Sequence, residues 1–147
     1  MEITMEKKRL TIIPAVYLVL TKNRKILLAR RHNTGFRDGD YSLPAGHVEE
    51  NETLKRAMIR EAKEEIGIQI KTKDLTLIHI LHRKDENRID FFFKTKKWKN
   101  TPKIMEPNKC NGLNWFNINN TPKNTIPQVK QAIKKITKKE PYSEYGW

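Results

Sequence analysis

The stretch Gly46–Ile68, which reads GHVEENETLKRAMIREAKEEIGI, is the most informative part of this chain. Asn51, Glu52 and Thr53 are residue types that begin helices, and Gly67 is a type that ends them. The residues between these signals include no proline or glycine and favour helix formation. The sequence therefore predicts one helix that starts within residues 51–53 and stops at Gly67.

Three glutamates of this predicted helix share one face. Glu61, Glu64 and Glu65 stand at positions i, i+3 and i+4, which places them within an arc of roughly 100°. The apolar residues of that arc are Leu54, Ala57 and Met58. Like charges at this spacing repel by a few tenths of a kcal/mol per pair, so an acidic face that only meets solvent explains them poorly. A divalent cation reverses that repulsion, and oxygen ligands suit Mg²⁺, or Mn²⁺, better than Zn²⁺.

The same stretch follows the pattern G-x5-E-x7-R-E-A-x-E-E-x-G-I and resembles the signature of the Nudix hydrolase family, with every defining position filled. The resemblance implies an enzyme that cleaves a diphosphate linked to another moiety, usually with magnesium. It also implies a catalytic and metal-binding role for the three clustered glutamates. A backbone oxygen of Gly46 joins them at the metal, and glycine allows the tight turn that this contact is expected to need. Glu52, Arg60 and Gly67 are then structural residues that support the site, with Glu52 and Arg60 forming a pair.

A fourth acid extends the predicted catalytic set. Glu106 is the only acidic residue between Phe92 and Lys139. In MutT-like Nudix enzymes, a glutamate of the corresponding late loop approaches the metals or takes part in proton transfer. The alternative interpretation is a surface counter-charge among lysines.

Several residues outside the signature are candidates for substrate binding. The amide of Asn124 can donate and accept hydrogen bonds at once, as reading a purine edge requires, although asparagine also caps helices well. Phe91 and Phe93 share one face of a predicted strand and are candidates for stacking on a base, unless both faces of that strand are buried. Lys103 or Lys109 is expected to stabilise a departing pyrophosphate.

The charge of the chain is high and unevenly distributed. The net charge is +13, and the segment 92–139 holds twelve lysines against one acid, 12 − 1 = +11. Such a field attracts polyphosphates and nucleic acid. Lysines on solvated faces are an equally good explanation, so we expect any binding to nucleic acid to be nonspecific and weak at physiological salt.

Length and composition indicate a single domain over residues 1–147, and the resemblance implies that it is a Nudix hydrolase domain. The apolar run Leu10–Leu20 is too short to span a bilayer. The chain shows no signal peptide, and its single cysteine, Cys110, favours a reducing, cytoplasmic location. We expect a monomer or a homodimer.

The order of predicted elements indicates an α/β fold. Two predicted hairpins come first, one formed by 11–20 with 25–30 and the other by 75–82 with 88–98. A short strand at Leu113–Phe116 and an amphipathic helix at Ile126–Lys138 follow. The resemblance implies a Nudix-type α/β/α sandwich with a mixed central sheet.

The sequence limits the choice of substrate mainly through the absence of residues that are typical of particular Nudix subfamilies. ADP-ribose-cleaving relatives usually carry a proline soon after the signature, and dinucleoside-polyphosphate relatives a tyrosine, but Leu81–Ile89 contains neither. The run Pro44-Ala45-Gly46 is more familiar from the sugar-linked branch. We expect cleavage of a nucleoside triphosphate to a monophosphate and pyrophosphate. The alternatives are an ADP-ribose or nucleotide-sugar pyrophosphatase, an RNA 5′-pyrophosphohydrolase, and a regulator that binds nucleotides or RNA without turnover.

Overall fold

The structure is a computed structural model that describes residues 7–147; the start of the predicted domain, residues 1–6, lies outside this range. The strands are β1 (Ile13–Val19), β2 (Thr21–Lys22), β3 (Lys25–Arg31), β4 (Tyr41–Ser42), β5 (Ala45–His47), β6 (Leu75–Arg83), β7 (Arg88–Thr95), β8 (Cys110–Asn117) and β9 (Tyr142–Tyr145). The α-helices are α1 (Leu54–Ile66) and α2 (Pro127–Thr137). No helix of the described range is long and apolar enough to cross a membrane.

The central sheet has five strands in the order β5-β1-β7-β6-β9. Strand β1 runs antiparallel to β5 and parallel to β7, while β6 runs antiparallel to β7 and parallel to β9. The sheet is therefore mixed, as predicted. Residues Ala15–Val19 of β1 are buried on both faces, which suits a strand inside a sheet that is covered on both sides.

A second, smaller sheet is built around β3, which pairs with β2, β4 and β8. The predicted hairpin of 11–20 with 25–30 is wrong, because β1 belongs to the central sheet. The partner of β3 on that side is the short strand of Thr21 and Lys22. The chain passes between the sheets at Leu20, whose carbonyl accepts a hydrogen bond of 3.0 Å from the Leu27 amide. The second predicted hairpin is confirmed by the pairing of β6 with β7.

One helix covers each face of the central sheet. Val16, Leu18 and Phe93 belong to the core beneath α1, together with Met58 of the helix itself. A second core includes Ala15, Tyr17 and Phe92 from the alternate strand positions, with Val129 and Ile133 of α2. Alternation along β1 and β7 thus sends successive side chains to opposite layers. The predicted α/β/α sandwich is confirmed.

The boundaries of α1 follow the local sequence signals. The Thr53 hydroxyl accepts a hydrogen bond of 3.1 Å from the amide of Arg56. At the other end, Gly67 adopts a left-handed conformation, with φ of 71°, and its amide bonds to the Lys63 carbonyl. Glycine takes this conformation without the steric penalty of a side chain, so both predicted ends are confirmed.

Candidate active site

The four predicted catalytic glutamates line one cleft of about 620 Å³. Its acidic residues are Glu61, Glu64 and Glu65 of α1 and Glu106 of the loop before β8, with the exposed Glu49 at the edge. Its basic residues are Arg30 and Arg31 at the end of β3, Lys109, and Arg60 of α1. Residues far apart in sequence are therefore brought together at the C-terminal half of α1.

Gly46 is required here for close approach rather than for a tight turn. It lies in β5 opposite Val16, in a regular pair of strands. A Cβ atom at this position would overlap the Cδ and Oε1 atoms of Glu61. The carboxylate of Glu61 therefore occupies the space that any other side chain at position 46 would fill. The predicted need for a turn at Gly46 is wrong, although its predicted backbone contact with a metal stays a prediction.

The Glu65 carboxylate is half-buried in the cleft. Its Oε2 accepts a hydrogen bond of 3.1 Å from the Ala45 amide. Burial, reinforced by the negative charge of Glu61, raises the pKa of Glu65 well above that of an ordinary carboxyl. Burial also raises the pKa of Glu61, although the neighbouring Arg60 guanidinium opposes that shift. Acids held together in this way favour a proton or a cation between them.

Arg60 connects α1 to the loop that precedes it. Its Nε and Nη2 donate to the two carboxylate oxygens of Glu52 at 2.8 and 3.0 Å, and Nη2 also donates to the His47 carbonyl at 3.0 Å. Its Nη1 donates to Glu61 at 2.7 Å and to Glu64 at 3.3 Å. The bonds from Arg60 lower the pKa of Glu52 to about 2. The predicted pairing of Glu52 with Arg60 is present, and it is bidentate.

Glu106 reaches the cleft because its loop is tied to the end of α1. The amides of Lys103 and Met105 donate to the carbonyls of Ile66 and Glu65 at 3.0 and 3.1 Å. These bonds satisfy carbonyls that the last turn of a helix leaves free. The side chain of Glu106 lies 3.8 Å from the ammonium of Lys109 and close enough to Glu65 to add to its raised pKa.

The donor set of the cleft fits a hard divalent cation. Carboxylate oxygens supply the ligands, and the close approach at Gly46 leaves the Glu61 carboxylate directly against the backbone of β5. Within residues 7–147, no three His, Cys, Asp or Glu side chains are already gathered around a single point. Glu61 and Glu64 each bond to Arg60 through a single carboxylate oxygen, so Arg60 holds both side chains without using all of their lone pairs.

The contribution of Arg30 and Arg31 to the basic wall of the cleft was not predicted from the sequence. Arg30 Nε donates to the Gly39 carbonyl at 3.1 Å, and Arg31 Nε donates to the Phe36 carbonyl at 2.7 Å. The two arginines thereby hold the loop 32–40 at the mouth of the cleft. A paired arginine at the end of an apolar strand, directly before a glycine-containing loop, was the available signal.

Asn124 does not cap the last helix. The N-cap of α2 is Ile126, without a side-chain cap, and Pro127 follows as the first helical residue. The Asn124 amide donates to the Gly39 carbonyl at 2.8 Å and is not among the residues that line the cleft. The predicted cap is therefore wrong, because Asn124 fastens the 32–40 loop to the segment before α2, and its contact with a base stays a prediction.

Three other predicted substrate contacts lie outside the cleft. Phe93 is buried in the core beneath α1, and Phe91 packs against that core from a half-buried position. The strand is covered on both faces, so these rings are not free to stack on a base. Lys103 is exposed near Gly67 at the end of α1, whereas Lys109 lines the cleft. Of the two predicted lysines, only Lys109 is positioned to face a phosphate there.

Comparison with known proteins places this geometry in a family. The NUDIX domain profile matches residues 11–138. The chain is 34% identical over 97 residues to the 8-oxo-dGTP diphosphatase of Proteus vulgaris, covering 65% of this chain and 84% of that protein. It is 44% identical over 73 residues to the ADP-ribose pyrophosphatase of Methanocaldococcus jannaschii, covering 48% of this chain and 43% of that protein. The chain thus spans less than half the length of the latter relative.

The fold agrees with this placement. The structure matches the crystal structure of the MutT NUDIX hydrolase from Burkholderia pseudomallei with a TM-score of 0.77 and 23% identity, covering 84% of this chain and 97% of that one. The matched profile runs from β1 through α2 and includes all four predicted catalytic glutamates of the cleft, while β9 lies beyond it. On the family profile, the relatives and the fold together, this chain belongs to the Nudix hydrolase family.

Proposed function

We propose that this chain acts as a single metal-dependent pyrophosphohydrolase domain that converts nucleoside triphosphates to monophosphates and pyrophosphate. The observation that carries the proposal is the cleft itself, in which an acidic wall on α1 faces the basic residues Arg30, Arg31 and Lys109. A polyphosphate chain needs cationic contacts along its length and a divalent cation at the bond that breaks. The two walls supply the groups for both.

Members of the family use divalent metals, and we propose Mg²⁺, with Mn²⁺ as a substitute. Glu61, Glu64 and Glu65 would hold it, together with the backbone oxygen of Gly46. When bound, the metal neutralises the charge that develops on the phosphate oxygens and activates water. The raised pKa of Glu65 supports this assignment, because a buried acid beside another acid is stabilised by a cation.

Other residues of the cleft position the ligands, accept a proton or stabilise the leaving group. Arg60 and Glu52 fix the loop 47–52 against α1, and their contact with the Glu61 carboxylate orients that ligand. Glu106 or Glu65 takes the proton of the attacking water, since both lie at the same end of the cleft. Lys109 stabilises the departing pyrophosphate, in the role that the sequence left open between Lys103 and Lys109.

An ADP-ribose or nucleotide-sugar pyrophosphatase is a second candidate. It is supported by the 44% identity to the archaeal ADP-ribose pyrophosphatase and by the Pro44-Ala45-Gly46 run beside the cleft. The triphosphate assignment is supported instead by the 8-oxo-dGTP diphosphatase, 84% of which is covered by this chain. Both substrates place a diphosphate in the same cleft, so only turnover separates them.

The test is a panel of nucleoside triphosphates, ADP-ribose and 5′-triphosphorylated RNA with Mg²⁺ in ¹⁸O-labelled water. We expect nucleoside monophosphate and pyrophosphate, with the label in one of them showing which phosphorus was attacked. Release of inorganic phosphate and a nucleoside diphosphate would overturn the α–β assignment. Rapid cleavage of ADP-ribose beside inert triphosphates would replace the first candidate with the second. Binding without any turnover would favour the regulator.

A further inference from the structure

A second groove, of about 440 Å³, lies on a different side of α1 from the carboxylate cleft. Its walls are two chain segments, 68–71 after α1 and 97–99 after β7. The segments are joined by a pair of backbone hydrogen bonds between Gln69 and Lys99, of 3.1 and 2.9 Å. The groove is therefore built on fixed backbone, next to the same helix that supports the catalytic glutamates.

The floor of this groove is apolar and contains an aromatic ring. Ile68 and Ile70 are buried in the core beneath α1, and Ile59 of α1 packs beside them. Trp98 is half-buried against that core, so part of its indole ring stays accessible in the groove. We name this feature the Trp98 groove. A ring supported from below presents a flat surface on which another ring can stack.

The rim of the Trp98 groove is cationic. Lys63, Lys71, Lys97 and Lys99 line it, all four exposed, and Asp74 is its single acid. Across residues 7–147, no carboxylate lies within 4 Å of any of these four ammonium groups. These lysines therefore have their charges available for an external anion, in contrast to Lys109 and Lys135, which face glutamates.

We propose that the Trp98 groove binds single-stranded nucleic acid, with a base stacked on Trp98 and phosphates beside the four lysines. Stacking platforms within a cationic channel are the means by which proteins hold single strands without reading their sequence. Inorganic phosphate would contact the lysines but would leave the Trp98 ring unused. A duplex cannot stack on Trp98 in the same way, because its bases already stack on one another inside the double helix. Lys97 and Lys99 of this groove belong to the lysine-rich segment 92–139, so the proposal accounts for part of the positive charge of that segment. This inference does not depend on the proposed hydrolysis.

The experiment measures the anisotropy of a labelled, 5′-hydroxyl 12-nucleotide RNA, which carries no phosphoric anhydride to cleave. Trp98→Leu keeps the apolar packing but removes the stacking ring, and we expect it to weaken binding at least about fivefold. Trp98→Phe should retain most of the affinity. K97E/K99E should weaken binding and reduce the salt dependence, whereas K130E/K134E makes the same charge change on the exposed face of α2 and serves as the matched control.

Equal weakening by K97E/K99E and K130E/K134E would overturn the proposal, because the attraction would then belong to the net charge of the chain. Unchanged affinity in Trp98→Leu, with a thermal melt like that of the wild type, would overturn it as well. Tighter binding of a duplex RNA or of polyglutamate than of the single strand would assign the groove to a different partner. If Trp98→Leu does not fold, the Trp98→Phe variant and the lysine pairs decide the question.

Discussion

Two clusters of charged side chains lie on opposite faces of the central sheet, and they differ in how well their hydrogen bonds are made. We call them the cleft cluster and the inner cluster. The cleft cluster consists of Arg60, Glu52, Glu61 and Glu64. The inner cluster consists of Arg83, Arg88, Asp90 and Tyr17, on the face that α2 covers.

In the cleft cluster, one arginine satisfies three carboxylates with contacts as short as 2.7 Å. In the inner cluster, the Arg83–Asp90 and Arg88–Asp90 contacts are 3.3 and 3.5 Å, and both carboxylate oxygens of Asp90 lack a hydrogen-bond partner among the described residues. Burial raises the pKa of Asp90 to about 6, against the attraction of both arginines. The bidentate pair with Glu52 thus holds Arg60 where it bonds to the Glu61 carboxylate, whereas long buried contacts mainly cost desolvation.

The largest effect is expected where the cleft acids meet a cation. The double substitution E64Q/E65Q should keep the fold but lower turnover by orders of magnitude, because each change removes a negative charge from the metal ligands. The measurement is hydrolysis with Mg²⁺ at matched protein concentration, beside a thermal melt. Glu50→Gln, a change of an exposed glutamate outside the cleft lining, is the control. Near-normal turnover in the folded double variant would show that the glutamates of α1 are not needed for hydrolysis.

A smaller loss is expected from Gly46→Ala, since the added Cβ displaces the Glu61 carboxylate from its bond to Arg60. The displaced atoms are the far end of a flexible side chain, so the melting temperature should change little. Turnover should fall by roughly a hundredfold, as expected when a catalytic group is misplaced by about 1 Å. A double-mutant cycle with Glu61→Gln tests whether Gly46→Ala acts through Glu61. If it does, Gly46→Ala should lower turnover only slightly further in the Glu61→Gln variant. Full additivity of the two losses of turnover would show that Gly46→Ala does not act through Glu61.

Glu52→Gln tests whether the short bonds of the cleft cluster matter for positioning. It weakens the pair with Arg60 without touching a proposed ligand, and we expect a roughly tenfold higher Mg²⁺ requirement. The measurement is turnover against Mg²⁺ concentration at saturating nucleotide. A lower maximal rate with an unchanged Mg²⁺ requirement would show that Glu52 acts on something other than the ligand set.

Asp90→Asn gives the smallest expected effect on turnover and a distinct effect on stability. The folded pKa of about 6 exceeds the unfolded value of 3.8, so the folded state binds this proton more tightly. The resulting stability is complete below about pH 4 and is lost as the pH rises through about 6. The amide of the variant imitates the protonated carboxyl, so the advantage of Asp90→Asn over the wild type should grow to on the order of 1–3 kcal/mol at neutral pH.

Urea unfolding of both proteins at pH 4.5 and pH 7.5 measures this difference. A destabilised Asp90→Asn protein at pH 7.5 would mean that the long contacts of the inner cluster are net stabilising. The contrast between the two clusters would then disappear.

Local signals in the sequence were enough for the parts of the site that lie within α1. The cap at Thr53, the stop at Gly67 and the common face of the glutamates each depend on neighbouring residues, and all three are present in the structure. Helix periodicity relates such residues directly. The pairing of Glu52 with Arg60 was accessible through the family resemblance rather than through periodicity.

Long-range pairing explains what the sequence did not predict. The short turn at 22–24 suggested a simple hairpin, but β1 pairs instead with β5 and β7, whose positions in the sequence are distant. The second sheet in turn brings Arg30 and Arg31 to the cleft. Asn124 has a sequence context that suits a cap, yet the bond that it makes is to Gly39, 85 residues earlier. Burial of Phe93 from both sides is likewise a property of the assembled layers.

The last strand has a consequence for the colloidal behaviour of the protein. Strand β9 pairs with β6 from Ile80 to Arg83 and is the outermost strand on that side of the central sheet. An uncovered strand presents free amides and carbonyls that recruit strands of other molecules. Trp147 extends this cover, with its indole nitrogen 3.2 Å from the His82 carbonyl and its ring near the imidazole. The segment from Tyr142 to Trp147 thus replaces the edge of the nine-residue β6 with that of a four-residue strand, and we expect truncations that remove it to lower the solubility of the protein.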